Sequence, residues 1–304
     1  MTEDRPNSTR AAALIPFFTV VMIWGSTWIV IRHQLGVVPA SWSVCYRFVV
    51  AGVVLQAVAM IRRERVTRDA AFWRFAGWLG VFQFVLNFNF VYRAEHYITS
   101  GLVAVVFALL LIPNALLARL FLGQRLGRQL AVGSAIAMAG AGLLFVQEAR
   151  ADPTATDRTL IGIALTLCAI LSASSANVMQ ATKTAARYPM IPMLATAMLI
   201  GATLDGLWAW ITTGPPVFDP RPGYVAGVLY LGVIASSLAF TLYFRIIRTI
   251  GPAKAAYNGV IVPVIAMLLS TLLEGYRWSP LAIAGAALAG VGLVVALSAR
   301  RPAR

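Results

Sequence analysis

Apolar side chains run through this chain in ten stretches, at about 11–32, 40–61, 72–92, 97–121, 129–147, 160–181, 190–212, 222–247, 252–273 and 280–298. Each stretch is close to the roughly 20 residues a helix needs to cross a bilayer. Only short charged or Pro/Gly-marked breaks part them. A soluble core cannot bury so much: 60% of the 304 residues are hydrophobic, 12% are charged, and mean hydropathy is +0.79. Lipid is the solvent that fits, and there a helix satisfies its own backbone polar groups. The runs are continuous rather than alternating, which excludes a transmembrane barrel. The expected fold class is an all-α polytopic membrane protein with ten transmembrane helices. The first run is too long for a signal-peptide core and no small-residue cleavage site follows it, so span one is expected to be retained.

The ten spans fall into two related halves. Ile112-Pro113 through Gly123-Gln124 matches Val262-Pro263 through Leu273-Glu274, and Gly140-Ala141-Gly142 returns as Gly290-Val291-Gly292. The most polar internal break, Glu148 to Thr159, is the natural joint. The expected organisation is a tail over 1–10, a first five-span repeat over 11–147, a loop over 148–159, a second repeat over 160–298 and a basic tail over 299–304. An odd number of spans per half inverts the second repeat in the bilayer, an architecture of secondary transporters.

The formal net charge of +14 does not call for nucleic acid. With the ten spans in place, 16 of the 25 basic residues fall on the side of the termini and 6 on the other, while Arg47, Arg74 and Arg119 lie in or at the ends of spans. That bias puts both termini in the cytoplasm and explains the charge without a polyanionic partner. The expected location is a bacterial inner membrane.

Few residues here could carry chemistry. His33 and His96, the two histidines, sit at span ends, Cys45 and Cys168 fall inside spans, and no spacing suits a metal, a nucleophile with its base, or a cofactor. An enzyme is not expected, nor a cofactor or metal. Intramembrane ionisable groups are functional candidates by default, and Arg47 in span two and Asp205 in span seven are the clearest. They occupy corresponding elements of the repeats, so they read as a structural internal ion pair, or Arg47 meets a substrate carboxylate. No carboxylate lies in span one, which favours facilitated or weakly coupled export of a neutral or zwitterionic solute over proton-driven exchange of a cation.

Uncharged polar and aromatic residues carry more. Gln83, Asn87 and Phe90 lie at i, i+4 and i+7 on one face of span three, and Trp24 and Trp28 share a face of span one. Asn114 follows Pro113, Asn177 lies in span six, and Tyr257-Asn258 open span nine; Ser237 and Tyr243 lie in span eight. Amides and hydroxyls facing a cavity orient a small zwitterion while aromatic rings wall its side chain. The same residues also serve as interhelical glue. Pro113 and Pro263 each remove a mid-span hydrogen bond at equivalent places, as a hinge or a fixed bend. Gly133, Gly140, Gly142, Gly285, Gly290 and Gly292 read as close contacts of spans five and ten.

Trp24-Gly25-Ser26-Thr27, Pro39 with Arg47, Tyr97-Ile98-Thr99-Ser100-Gly101 leading to Pro113, Leu122-Gly123-Gln124, and Gly251-Pro252-Ala253 with Pro263 and Glu274 resemble the EamA-type members of the drug/metabolite transporter superfamily. The resemblance covers essentially the whole chain. Within the superfamily it is similar to bacterial metabolite exporters, including the YddG-type aromatic amino acid exporters. It implies two inverted five-span repeats around a cavity built from spans one, three, four, six, eight and nine, and alternating access. The expected substrate is an amino acid, aromatic or otherwise neutral, or a similar small metabolite. The competing expectations are a drug or other metabolite exporter of the same fold and, remotely, a membrane enzyme or assembly protein. Oligomeric state stays open, a monomer included. Gln124 stands where the family commonly has glutamate, and Leu109 to Ile112 stand where aromatic exporters carry an aromatic cluster.

Overall fold

The computed structural model describes residues 6–65, 69–123, 127–151, 156–250, 255 and 258–297, and every regular element among them is helical. In chain order the main ones are α1 (Pro6–Gln34), α2 (Ala40–Ile61), α3 (Ala70–Ala94), α4 (Ser100–Leu122), α5 (Arg128–Ala151), α6 (Thr156–Gln180), α7 (Met190–Thr213), α8 (Pro222–Ile250), α9 (Asn258–Leu273) and α10 (Pro280–Leu297), with a single helical turn, Lys183–Ala186, between α6 and α7. Seven of the helices are long and apolar enough to cross a membrane, and the shorter apolar helices Arg128–Leu144, Ile261–Leu273 and Pro280–Ala296 belong to α5, α9 and α10.

Corresponding residues of the two halves do corresponding jobs. Pro39 precedes α2 and Pro189 precedes α7, with φ of −54° and −57°; the pyrrolidine ring fixes φ, and its missing N–H costs nothing where a helix begins. Both α3 and α8 widen into a π-helical segment, Gly80–Leu86 in the first and Tyr230–Leu238 in the second. At Pro113 the missing donor and the ring's clash with the carbonyl four residues back are accommodated by a 3₁₀ turn at Ala108–Leu110. Pro263 lies inside the continuous helix α9. Gly123 ends α4 in the left-handed region at φ 66°, which a Cβ would disfavour.

The halves meet through equivalent helices. Gly133 of α5 faces Gly292 and Ala296 of α10, and Gly140 faces Gly285 and Ala289, so the two helices run antiparallel in backbone contact. Likewise α2 and α7 run antiparallel, with Gly52 against Leu199 and Gly206 against Cys45. Gly142 and Gly290 meet nothing within 4 Å. They are not part of the expected close contact, because two residues on from Gly140 and two back from Gly292 point to another face at 3.6 residues per turn.

At the end of the bundle nearest the start of α3, the joint between halves is polar. Asp69 caps α3, accepting the Phe72 amide at 2.7 Å, and also accepts the Tyr188 hydroxyl at 2.7 Å from the loop before α7. The Tyr188 phenol and the Phe72 amide hold the Asp69 carboxyl below the usual carboxylate range. Asp69→Ala should lower the Tm in detergent, the ordinary effect of a lost N-cap. A Tm equal to wild type would show that the cap contributes nothing.

Candidate functional site

The helices enclose a cavity of about 920 Å³, its open mouth included, lined from α1, α2, α3, α4, α6, α8 and α9. Its walls are aromatic. The Trp24 ring sits 5.3 Å from Phe240 and 4.7 Å from Tyr243, and Trp28 sits 5.4 Å from Phe107. Gly25 explains how α1 comes close enough: a Cβ there would stand 2.6 Å from the Ile265 side chain of α9. The wall thus draws its rings from α1, α3, α4 and α8, while Leu110 and Leu111 also line it.

The polar groups converge on the same space. Gln83 and Asn87 both line it, and the Asn87 amide donates to the Gln83 carbonyl at 3.4 Å. Asn177 donates to Asn114 Oδ1 at 3.4 Å across α6 and α4. Trp24 Nε1 donates at 3.2 Å to the Ala235 carbonyl, within the π segment of α8. Several buried polar atoms of lining residues have no hydrogen-bond partner among the described residues: Trp28 Nε1, Asn87 Oδ1, Arg47 Nη1, and both amide atoms of Asn258. A folded protein leaves few such groups unmade, and their convergence on one cavity marks a place for a polar ligand.

Of the residues expected at the site, the structure brings together Trp24, Trp28, Gln83, Asn87, Asn114, Asn177, Tyr243 and Asn258, with Pro263. Phe90 is not among the lining residues; it packs on the apolar core. The π segment is the reason: its wider turn rotates everything beyond Leu86, so Phe88 and Val91 follow Asn87 into the cavity. Ser237 also lies outside the lining, its hydroxyl donating to the Ala51 and Gly232 carbonyls at 3.0 Å each. Pro113 stands behind the wall, and Tyr257 lies outside the described residues. Phe240 was missed, although it sits three residues before Tyr243 on the same helical face.

Arg47 and Asp205 do not form the expected ion pair. Asp205 is fully buried on α7, where Oδ1 accepts Asn89 Nδ2 at 2.6 Å, and Asn89 in turn accepts the Ser41 hydroxyl at 2.7 Å. Arg47 instead reaches the cavity, donating from Nε to Ser236 at 2.8 Å with its guanidinium 4.3 Å from the Phe88 ring centre. Among the described residues the ion pairs are Arg32 with Glu274 and Arg221 with Asp219. No group of three or more His, Cys, Asp and Glu side chains there could hold a metal.

Where α1 and α3 finish, beyond the lining residues Ile31 and Val91, lies a second polar cluster. Glu274, following α9, accepts the Ser100 hydroxyl at 2.6 Å, the Ser270 hydroxyl at 2.5 Å and the Ser100 amide at 3.4 Å, and lies 3.7 Å from the Arg32 guanidinium. Arg32 also donates to the Glu95 carbonyl. The Glu95 side chain is fully buried, and neither carboxyl oxygen has a hydrogen-bond partner among the described residues.

Among known proteins similar to this chain, several are named as transporters or exporters. It is 28% identical to the "Uncharacterized inner membrane transporter YedA" of Escherichia coli (strain K12) over 283 residues, 88% of this chain and 85% of that one. It is 26% identical to the "Probable terminal-alkyne amino-acid exporter" of Streptantibioticus cattleyicolor over 288 residues, 90% of each. Protein PagO of Salmonella typhimurium is 23% identical over 274 residues, 89% of this chain and 88% of that one. A solved crystal structure superposes with a TM-score of 0.67 at 23% identity, over 94% of this chain and 97% of its own, which shows a shared fold. Residues 11–146 and 160–298 each match the model of the EamA-like transporter family, so this multi-pass inner-membrane protein belongs to that family.

Proposed function

We propose that the protein exports amino acids, aromatic and other neutral ones, or similar small metabolites from the cytoplasm by alternating access. In this reading ten spans form two inverted repeats with both termini cytoplasmic, and Pro113 and Pro263 act as hinges. The antiparallel pairing of α2 with α7 and of α5 with α10, and the matching π segments, support the inversion. The observation that carries the function is the cavity itself: unpartnered amide, indole and guanidinium atoms ringed by Trp, Phe and Tyr, between elements contributed by both halves. Amide groups orient a zwitterion and rings take its side chain. The described lining contains neither Asp nor Glu, which disfavours a cationic drug as substrate. The relative named as a probable amino-acid exporter fits the same substrate class.

Counterflow in proteoliposomes tests it, with vesicles preloaded with unlabelled amino acids and challenged with labelled tryptophan and threonine without a proton gradient. Accumulation above protein-free vesicles is expected. Gln83→Leu combined with Asn87→Leu should reduce it at least about tenfold, since two buried hydrogen-bonding groups vanish from the site, while the variant still purifies folded. No accumulation of any amino acid by folded protein would discard amino-acid export.

A further inference from the structure

The most unusual group in the cavity is its cation. Arg47 is 1% exposed and is the one charged residue among the described lining residues. Removing a guanidinium from water costs several kcal/mol unless a partner compensates, yet no carboxylate lies within ion-pairing distance of it among the described residues. The Ser236 hydroxyl takes Nε, and the Phe88 and Phe48 rings, at 4.3 and 5.4 Å, flank the guanidinium. Nη1 is left with no acceptor. The Tyr92 hydroxyl also hydrogen-bonds the guanidinium, Glu95 and Tyr230 are its other titratable neighbours, and the Glu95 oxygens make no hydrogen bond to it.

We propose that Arg47 is the carboxylate subsite of the transporter, so that its substrates carry a free carboxylate. This rests on the export reading above and narrows it. A guanidinium held by rings and by the Ser236 and Tyr92 hydroxyls presents the unpartnered Nη1 corner of its planar fork in a fixed orientation, where a carboxylate can accept. A single cation matches a single monoanionic group; a phosphate dianion would leave charge uncompensated in a lining with no second cation. The ammonium of an amino acid finds acceptors in Asn87 Oδ1 and Asn258 Oδ1, both unpartnered.

The test is thermal unfolding of the purified full-length protein with matched probes: tryptophan against tryptophanamide, threonine against threoninamide, and indole-3-propionate, which keeps the carboxylate and lacks the amine. The acids should raise Tm, and the amides should bind about 10- to 100-fold more weakly, the loss expected for a hydrogen-bonded charge pair. Arg47→Gln should abolish the difference between acid and amide. Arg47→Lys, which keeps the charge without the fork, should restore part of it and covers the case in which the glutamine variant does not fold. Amides that stabilise as well as acids, acids that stabilise Arg47→Gln as well as wild type, or acids without effect on the wild type would each overturn the assignment. Acid-selective stabilisation with no counterflow would keep the carboxylate subsite and overturn export alone.

Discussion

Gly140→Leu is expected to keep the protein from folding, although Gly140 is far from any polar group that acts on a ligand. A Cβ at this position would stand 2.2 Å from the Ala289 amide nitrogen and 2.6 Å from the Gly285 carbonyl oxygen. Overpacking against side chains costs about 1–3 kcal/mol because rotamers yield; here the obstacle is backbone, so α5 and α10 must separate. In lipid no hydrophobic force pulls two helices together, and their association rests on the close packing that small residues permit. Separation forfeits that packing along Gly133, Gly140, Gly285 and Gly292, and the cost should exceed about 5 kcal/mol, comparable with the whole stability of many domains. Size-exclusion of detergent extracts should show the monodisperse peak lost. Gly142→Leu, with nothing within 4 Å, is the control and should run as wild type. If both leucine variants run alike, the antiparallel contact of α5 with α10 is not what holds this part of the molecule.

The contrast between Gly140 and Gly142 also shows what a sequence can and cannot tell. Apolar runs and their breaks placed the helices within a few residues, because length and hydropathy act locally; the expected run at 190–212 became Met190–Thr213. Facing is another matter. The i, i+4, i+7 rule brought Gln83 and Asn87 to the cavity correctly and then failed at Phe90, since a π segment adds residues to a turn without an obvious mark in composition. Ser237 lies in the equivalent segment of α8, and its hydroxyl went to the α2 backbone instead. Arg47 and Asp205 were matched by their places in the repeat, yet which neighbour a buried charge meets depends on helix rotation, and rotation is set by packing. In the sequence Glu95 is simply the residue before the span-end His96. Its burial arises only when the ends of α1 and α3, the start of α4 and the end of α9 converge on it.

That convergence gives the second large effect. Glu274→Ala should open the end of the cavity that faces outward in the proposed topology with both termini cytoplasmic. The substitution leaves the Ser100 amide and hydroxyl, the Ser270 hydroxyl and the Arg32 guanidinium without their shared acceptor. Losing the partner of such a buried cluster costs about 2–4 kcal/mol, or roughly 30- to 1,000-fold in the ratio of open to closed. The readout is labelling of Ile31→Cys, a buried lining position, by an impermeant maleimide added outside, with Cys45 and Cys168 replaced by serine. Labelling should rise steeply in Glu274→Ala; labelling at the wild-type rate would mean that the cluster does not close this end. Acidity acts on the same closure through Glu95. Burial, and then the Glu274 carboxylate, hold the Glu95 carboxyl well above the usual carboxylate range, against the pull of Arg32 and Arg47; Tyr92 and His96 are the other titratable groups beside it. Opening admits water and lets the acid ionise at its ordinary pKa. A group whose pKa is higher in the closed state favours closure fully below its open-state pKa, and that contribution is lost as pH rises toward the closed-state value. Wild-type labelling, divided at each pH by that of a fully exposed reference cysteine to remove the rise in thiolate with pH, should therefore increase with external pH, and Glu95→Gln should flatten the corrected profile while staying closed, because its amide is neutral at every pH. A profile equally steep in Glu95→Gln would assign the dependence to another group. In the proposed export cycle substrate leaves through this end, so there the acid buried within it would make the outward step sensitive to the pH it opens onto.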